Sequence, residues 1–163
     1  MKLLFNPLRM LYKKQNMTIE CPFCSKYDLS DDKKYEHLIV ARTDHSVIML
    51  NMFPYNPGHL LVLPITHTAN IADLSKEARI DLFETLLSAT QAAKVVTNTQ
   101  DINIGMNIGK SAGGSVQSHT HIHIVPRFIG DTNFLTVIAE TKVIAQDLKS
   151  MYDLYRNYFD QNQ

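Results

Sequence analysis

Residues 113–127 read Gly-Gly-Ser-Val-Gln-Ser-His-Thr-His-Ile-His-Ile-Val-Pro-Arg, and this stretch decides the fold. Three of the seven histidines, His119, His121 and His123, occupy every second position in it. A period of two is that of a β-strand, in which alternate side chains share one face. The intervening threonine and isoleucines favour a strand, and Pro126 ends it because proline cannot donate to a ladder. The stretch therefore predicts a strand with three imidazoles on one face.

A row of imidazoles on a strand has three interpretations. It can bind a metal ion, it can present a histidine nucleophile flanked by two partners, or it can lie on a solvated face by accident. Gly113, Gly114 and Ser115 come just before the row and can expose consecutive backbone N–H groups to an anion. Histidines beside such a nest indicate phosphate chemistry more than simple metal hydrolysis.

The run from His119 to Val125 resembles the His-φ-His-φ-His-φ-φ signature of the histidine triad (HIT) superfamily, in which φ is apolar and Thr120 is a mild departure. Members of that superfamily are nucleotide hydrolases and transferases. The resemblance covers roughly residues 20–160. Three segments look like the diadenosine tetraphosphate phosphorylase branch: Tyr-Asn-Pro-Gly-His at 55–59, Ser-Ala-Gly-Gly-Ser at 111–115, and Pro-Arg-x-x-Gly-Asp-x-Asn-Phe at 126–134. We expect an acidic residue in that branch where this chain has Ser118, which leaves phosphate or water open as the acceptor.

The resemblance implies a two-step nucleotidyl transfer on dinucleoside polyphosphates. His121 would form a nucleotidyl-histidine intermediate, His123 would donate to phosphate oxygens or the leaving group, and His59 would close the same site. Asn51, eight residues before His59, corresponds to the residue that holds the ribose hydroxyls. The remaining nucleotide-binding residues that the resemblance implies are Asn107, Gly113, Gly114 and Ser115.

The only two cysteines form a Cys21-Pro-Phe-Cys24 motif, which is typical of redox chemistry or of zinc binding. A redox motif normally opens a helix after a strand, whereas this one lies in a polar N-terminal segment. Bacterial relatives with such a motif complete a zinc site with a histidine at the position of His67 and with the first triad histidine. The resemblance therefore implies a closed, structural zinc site of Cys21, Cys24, His67 and His119.

Composition and charge are those of an ordinary globular domain, at 45% hydrophobic and 20% charged residues with a formal net charge of zero. This balance gives no electrostatic reason to expect nucleic acid or an acidic membrane as partner. No apolar run approaches the roughly 18 residues that span a bilayer. Residues 1–16 carry four basic and no acidic side chains, which a transit peptide could also show. We interpret 1–16 as an N-terminal extension and 17–163 as one HIT domain, and expect a cytoplasmic location.

The hydrophobic pattern predicts an α+β fold: one antiparallel sheet of about five strands with a long helix and a C-terminal helix against it. Strands are expected at 36–42, 46–52 and 102–108, with helices at 75–96 and 143–159. On the 102–108 strand the asparagines should share the face of the triad histidines. The predicted buried stripe of the long helix comprises Ala78, Leu82, Phe83, Leu86, Leu87, Ala89, Ala93 and Val96.

The resemblance implies a symmetric homodimer. Two functions of other classes compete with the transferase. One is a hydrolase with a catalytic zinc held by the three triad histidines, and the other is a nucleotide-binding protein without turnover. Within the enzyme class, a dinucleoside polyphosphate hydrolase and a nucleoside phosphoramidase are the nearest alternatives.

Overall fold

The computed structural model describes residues 21–26, 34–114, 116–134, 138 and 147–162. Its helices of four residues or more are α1 (Lys34–His37), α2 (Lys76–Thr97) and α3 (Leu148–Gln161), and its strands are β1 (Ile39–Arg42), β2 (Ser46–Leu50), β3 (Leu60–Pro64), β4 (Ile102–Gly105) and β5 (Ile122–Pro126). The predicted extension at 1–16 lies outside the described residues. None of the helices in these ranges has the length and apolarity to cross a membrane.

The five strands form one antiparallel sheet in the order β1-β2-β3-β5-β4. The predicted α+β class is therefore confirmed. Four strand boundaries differ from the prediction. The strands predicted at 46–52 and 102–108 end at Leu50 and Gly105. Glu36 and His37 belong to α1 rather than to a strand. β5 begins only at Ile122, because the chain before it bonds elsewhere: the N–H of Thr120 is donated to the carbonyl oxygen of Thr68 at 2.7 Å.

Helix α2 begins at the predicted cap, where the Ser75 hydroxyl accepts from the N–H of Ala78 at 3.1 Å. Its buried residues are Ala78, Leu82, Thr85, Leu86, Ala89, Ala92 and Ala93. The predicted stripe was wrong at two positions, since Phe83 is 60% and Leu87 is 51% exposed. Small alanines at 89, 92 and 93 let the helix approach the sheet, and the buried face turns away from both large side chains.

The predicted C-terminal helix packs on the same core through its aromatic face, with Tyr152, Tyr155 and Phe159 buried. Residues 143–146 of the predicted range lie outside the described residues. The hydroxyl of Tyr155 donates to the carbonyl oxygen of Gly58 at 2.8 Å. Burial raises the pKa of Tyr155, so the phenol stays a donor at all ordinary pH values. This bond connects α3 to the loop that enters β3.

The opposite face of the sheet carries a second, smaller core that the sequence did not predict. We call it the Phe23 cluster, and its members are Phe23, Ile39, Val47, Met49, Leu61 and Leu63. Because this cluster covers one face of the sheet and the main core covers the other, every residue of β2 and β3 is buried. Leu61 of the cluster lies opposite His123 in the ladder, and directly opposed residues share a face. The Phe23 cluster and the histidines therefore lie on the same side of the sheet.

Candidate active site and metal-binding group

The triad histidines are buried, at 0% exposure for His119, 6% for His121 and 8% for His123. Only His123 lies within β5, where it opposes Gly105 of β4 and Leu61 of β3. The predicted strand thus holds one of the three imidazoles, and the other two lie on the segment that enters it. The rings of His121 and His123 are still neighbours, with centroids 5.0 Å apart.

His121 has one ring nitrogen engaged and one available. Its Nδ1 lies 2.9 Å from the carbonyl oxygen of His119. A carbonyl only accepts, so Nδ1 must carry the proton, and the lone pair of the neutral ring is left on Nε2. A neutral imidazole with a free Nε2 lone pair is the form that attacks phosphorus.

His59 and His123 form a chain of hydrogen bonds with a defined direction. The backbone N–H of Tyr55 donates to Nδ1 of His59 at 3.0 Å. The proton of the neutral His59 ring is therefore on Nε2, which lies 3.0 Å from Nδ1 of His123. His123 accepts there and carries its own proton on Nε2. The chain leaves His123 as a neutral N–H donor beside the available lone pair of His121.

Burial keeps both rings of this chain neutral. Desolvation, followed by the charges of His123 and His121, lowers the pKa of His59 to about 3. Desolvation and then His121 lower the pKa of His123 to about 4. Each neutral ring carries one proton, so each donates from Nε2 and accepts at Nδ1.

The loop before β3 fixes His59. Gly58 has φ +76°, and a Cβ there would lie 2.3 Å from Cγ2 of Thr97, so only glycine fits. Asn56, which is 1% exposed, donates from Nδ2 to the carbonyl oxygen of Pro126 and to Oδ2 of Asp131, both at 2.7 Å. These bonds hold the loop against the end of β5 and so set His59 against His123.

The predicted nucleotide-binding residues fall into two groups. Asn51 and Asn107 lie at the histidines: Nδ2 of Asn51 is 3.3 Å from Nδ1 of His59, and Nδ2 of Asn107 is 3.5 Å from Nε2 of His123. Because the bond from His59 leaves the proton of His123 on Nε2, a half-turn of the Asn107 amide is needed to place Oδ1 there as its acceptor. Asn51 also accepts from the N–H of Phe53 at 2.9 Å, as a turn residue does. Asn107 follows β4 on the histidine side, as the alternation predicted.

The glycine loop differs from its prediction in one respect. The N–H of Gly113 is donated to Lys110 at 3.1 Å and that of Gly114 to Gly109 at 3.2 Å, both within the loop. These two N–H groups therefore close the loop on its own carbonyl oxygens, and they do not form the nest that the sequence predicted. A Cβ on Gly114 would lie 3.0 Å from two carbonyl oxygens, so the glycine is needed for close packing. Ser115 lies outside the described residues.

Cys21, Cys24, His67 and His119 come together, with their ligand atoms within 4.8 Å of one another. Sγ of Cys21 and Sγ of Cys24 lie 3.4 and 3.5 Å from Nδ1 of His119, and Sγ of Cys24 lies 3.2 Å from Nδ1 of His67. A tetrahedral zinc ion with ordinary bond lengths separates sulfur and nitrogen ligands by about 3.5 Å. Nε2 of His119 donates to the carbonyl oxygen of Pro64 at 2.8 Å, which frees Nδ1 for a metal. The group therefore fits a metal ion.

This grouping rules against a metal site made of the three triad histidines. Nδ1 of His119 faces the cysteines, Nδ1 of His121 faces a carbonyl oxygen, and Nδ1 of His123 faces His59. Within the described ranges, no other set of three or more potential ligands converges.

Two aromatic residues lie at this site that the sequence analysis did not predict as site residues. Phe23 packs its ring against His119 and His121, with centroids at 5.5 and 5.2 Å. Tyr55, half exposed, stacks on His123 at 5.5 Å and 19°. Both lie inside motifs that the sequence did single out, the cysteine pair and the Pro-Tyr-Asn-Pro-Gly-His loop. Their contacts depend on the tertiary fold, so the motifs alone gave no sign of them.

The fold and the site together define an α+β domain with a buried histidine cluster on one face of its sheet. The family model for the HIT domain matches residues 32–130, well over half of the chain. An "AP-4-A phosphorylase" of Mycobacterium tuberculosis is 41% identical over 128 residues, which cover 78% of this chain and 64% of that protein. The chain thus spans less than two thirds of the length of that relative.

Solved structures give the same result. Plasmodium falciparum diadenosine triphosphate hydrolase, in complex with Cyclomarin A, superimposes with a TM-score of 0.58 at 26% identity, covering 76% of this chain and 77% of that one. A Zn-bound histidine triad family protein from Mycobacterium smegmatis shares the fold, with a TM-score of 0.61 at 24% identity over 89% of this chain and 99% of that one. This chain belongs to the HIT family, and the resemblance on which the sequence prediction rested is confirmed.

Proposed function

We propose that this protein cleaves dinucleoside polyphosphates through a nucleotidyl-histidine intermediate, with diadenosine tetraphosphate as the model substrate. The observation that carries the proposal is the pair formed by His121 and His123. One presents an Nε2 lone pair because its Nδ1 is bonded to a carbonyl oxygen, and the other presents an N–H donor beside it. The similarity to the mycobacterial "AP-4-A phosphorylase" supports the substrate class.

In the first step, Nε2 of His121 attacks an α-phosphorus of the substrate. A phosphorus–nitrogen bond forms, and the bond from that phosphorus to the bridging oxygen breaks. The leaving nucleoside polyphosphate takes the electron pair, and the Nε2–H of His123 donates a hydrogen bond to its developing charge. In the second step, an oxygen of the acceptor attacks the same phosphorus and frees His121. Neutral imidazoles serve both steps near pH 7 without a separate strong base.

Asn51, Asn107 and the loop of Gly113, Gly114 and Ser115 are the proposed nucleotide-binding residues. Asn51 and Asn107 lie within 3.5 Å of His59 and His123 respectively, so a nucleotide held by them has its α-phosphate near the histidines. The glycines shape the loop and bring its backbone close to Asn107.

The acceptor is proposed to be inorganic phosphate, with water as the second candidate. Water is favoured by one observation: the exposed Ser118 stands where an acidic residue was expected before the first triad histidine. The Plasmodium neighbour is named a hydrolase, and the mycobacterial relative is named a phosphorylase. Incubation of the protein and diadenosine tetraphosphate with and without phosphate distinguishes phosphate from water as the acceptor. Phosphorolysis gives ADP plus ATP and needs phosphate, hydrolysis gives AMP plus ATP in either buffer, and no cleavage in either buffer contradicts the proposal.

The metal is proposed to be a structural zinc ion held by Cys21, Cys24, His67 and His119. Two thiolates and two imidazoles fill a tetrahedral shell and leave no position for a reacting water. When bound, zinc would cross-link the N-terminal segment to the residues that follow β3 and precede β5. The nucleotidyl transfer is carried out by His121 and His123.

A homodimer is proposed through the side of β4 that pairs with no other described strand. This strand ends the sheet order, and Ile104 on it and Ile108 just after it are 49% and 67% exposed. At the opposite edge, Arg156 donates to the carbonyl oxygen of Val40 at 3.0 Å. An apolar edge strand is a ready site for pairing with an identical strand about a two-fold axis.

Light scattering should give a dimer for the wild type and a monomer for Ile108→Glu, and a monomeric wild type would refute the pairing. The cytoplasmic location stays a prediction.

A further inference from the structure

Phe23 connects the metal-binding group to the proposed nucleophile. It lies between Cys21 and Cys24 in the sequence, and its side chain is 7% exposed within the Phe23 cluster. Its ring meets the edge of His119 at an interplanar angle of 84° and the ring of His121 at 59°. One aromatic side chain thus touches both a metal-ligating histidine and the histidine beside the phosphate site.

The two contacts restrict how His121 can move. The Nδ1 bond to the carbonyl oxygen of His119 fixes one end of the imidazole. That bond alone allows the ring to tilt about the Nδ1–O direction. His123 lies on one side, with ring centroids 5.0 Å apart, and Phe23 on another at 5.2 Å. Removing the phenyl ring would open space into which the imidazole can tilt.

Phe23 itself is held by the residues on either side of it. The segment 21–26 contains one short 3-10 helix, Cys24–Lys26. The N–H of Lys26 donates to the carbonyl oxygen of Phe23 at 3.0 Å. Cys21 contacts His119, which precedes β5, and Cys24 contacts His67, which follows β3. A metal ion bound there would fix both flanks of Phe23 by coordinate bonds, which are stronger than the thiol–imidazole contacts at 3.2–3.5 Å and the apolar contacts of the Phe23 cluster.

We infer that Phe23 is a positioning residue for His121, and that it makes the rate of nucleotidyl transfer depend on whether the Cys/His group holds its metal. The inference rests on the proposed function, since it takes His121 as the nucleophile. It assigns the metal-binding group a part in activity although none of its ligands touches the substrate. A small displacement of a nucleophile is enough for this, because a misplacement of about 1 Å can cost about 10²-fold in rate.

The test compares Phe23→Leu, which keeps an apolar side chain, with Val47→Ala, which removes methyl groups from the same cluster and lacks a ring contact with the triad. We expect Phe23→Leu to retain zinc and nucleotide affinity while kcat and the single-turnover rate of His121 labelling fall about 10- to 100-fold. Val47→Ala should keep kcat within about 2-fold at a similar loss of stability. Phe23→Leu with an unaltered kcat overturns the inference.

A second readout does not depend on turnover. Imidazole ¹⁵N spectra report the tautomer and surroundings of His121 directly. The His121 signals should shift in Phe23→Leu, and in wild type they should shift on chelation of the metal and return on adding zinc. His121 signals that stay unchanged both in Phe23→Leu and on chelation of wild type overturn the inference. This holds even if Phe23→Leu loses the metal. If wild type forms no nucleotidyl-histidine, the proposed function fails, and the spectra still decide whether Phe23 positions His121.

Discussion

Nε2 of His59 lies 3.0 Å from Nδ1 of His123, and the two residues are 64 positions apart in the chain. The bond joins the residue just before β3 to the second residue of β5, so it exists only in the folded sheet. Both imidazoles are buried and neutral in it. This hydrogen bond positions the two imidazoles, and because it needs both of them neutral, it also makes the stability of the fold depend on pH.

The first prediction follows from that linkage. His59 and His123 have pKa values of about 3 and about 4 in the folded protein, against about 6.5 in the unfolded chain. Between pH 6.5 and 4 the unfolded state binds more protons, so the free energy of unfolding falls as the pH is lowered. Each histidine adds at most about 1.4 kcal/mol per pH unit to this slope. Urea denaturation of metal-free protein at several pH values measures it. His59→Gln should show a shallower slope, and an equal slope in both proteins would contradict the assignment of a neutral His59.

The second prediction concerns the metal. Wild type should contain about one zinc per chain, and Cys24→Ser should lose it and unfold at a lower temperature, because metal binding is coupled to folding. Ser25→Ala, an exposed neighbour, is the matched control and should keep both the metal and the melting temperature. Elemental analysis together with calorimetry decides. Zinc retained at full occupancy in Cys24→Ser would remove Cys24 from the site.

The third prediction concerns the ribose. Asn51→Ala should weaken nucleotide binding by about 1–3 kcal/mol, since it removes an oxygen that accepts from hydroxyl groups, which is a loss of about 5- to 150-fold in affinity. Asn51→Asp keeps an acceptor for ribose and for the N–H of Phe53, and should bind nearly as wild type. Calorimetry with intact diadenosine tetraphosphate in a His121→Asn background avoids turnover. Equal affinities for the alanine variant and its parent would mean that Asn51 is a turn residue only.

The fourth prediction concerns the loop that positions His59. Asn56 donates to Pro126 and Asp131 from a fully buried position. Asn56→Ala leaves a buried carbonyl oxygen without this donor, so the protein should lose about 1–3 kcal/mol of stability. Gln91→Ala, at an exposed position of α2, should change stability by less than about 0.5 kcal/mol. Chemical denaturation compares the two, and similar values for both would show that the Asn56 bonds contribute little.

The sequence predicted the sheet, both long helices and the convergence of the cysteines with His67 and His119. These features follow from local periodicity or from a motif whose spacing a known family shares. It did not predict the Phe23 cluster. Phe23 is a single large apolar residue in a mostly polar segment, so no periodicity assigns it to a core. Nor did it predict that Phe83 and Leu87 are exposed, since a helical stripe of apolar residues does not say which part of it meets the sheet.

The hydrogen-bond directions within the histidine cluster were also beyond the sequence. The motif places His121 and His123 two residues apart, and a regular strand would align their rings. The chain instead enters β5 only at Ile122, and this irregular entry lets Nδ1 of His121 reach the carbonyl oxygen of His119. The tautomer that leaves Nε2 free depends on that local departure from strand geometry.

The most direct test is to trap the covalent intermediate. Wild type is mixed with diadenosine tetraphosphate labelled in the adenosine, denatured within one turnover, and mapped by mass spectrometry. An acid-labile nucleotidyl group should be found on His121. His121→Asn should hold zinc and bind nucleotide, carry no label, and turn over at least about 10³-fold more slowly. His123→Asn should still be labelled at a reduced rate, because a proton donor contributes about 10²–10⁴-fold. A label on another histidine, or full turnover by His121→Asn, would contradict the nucleophile assignment.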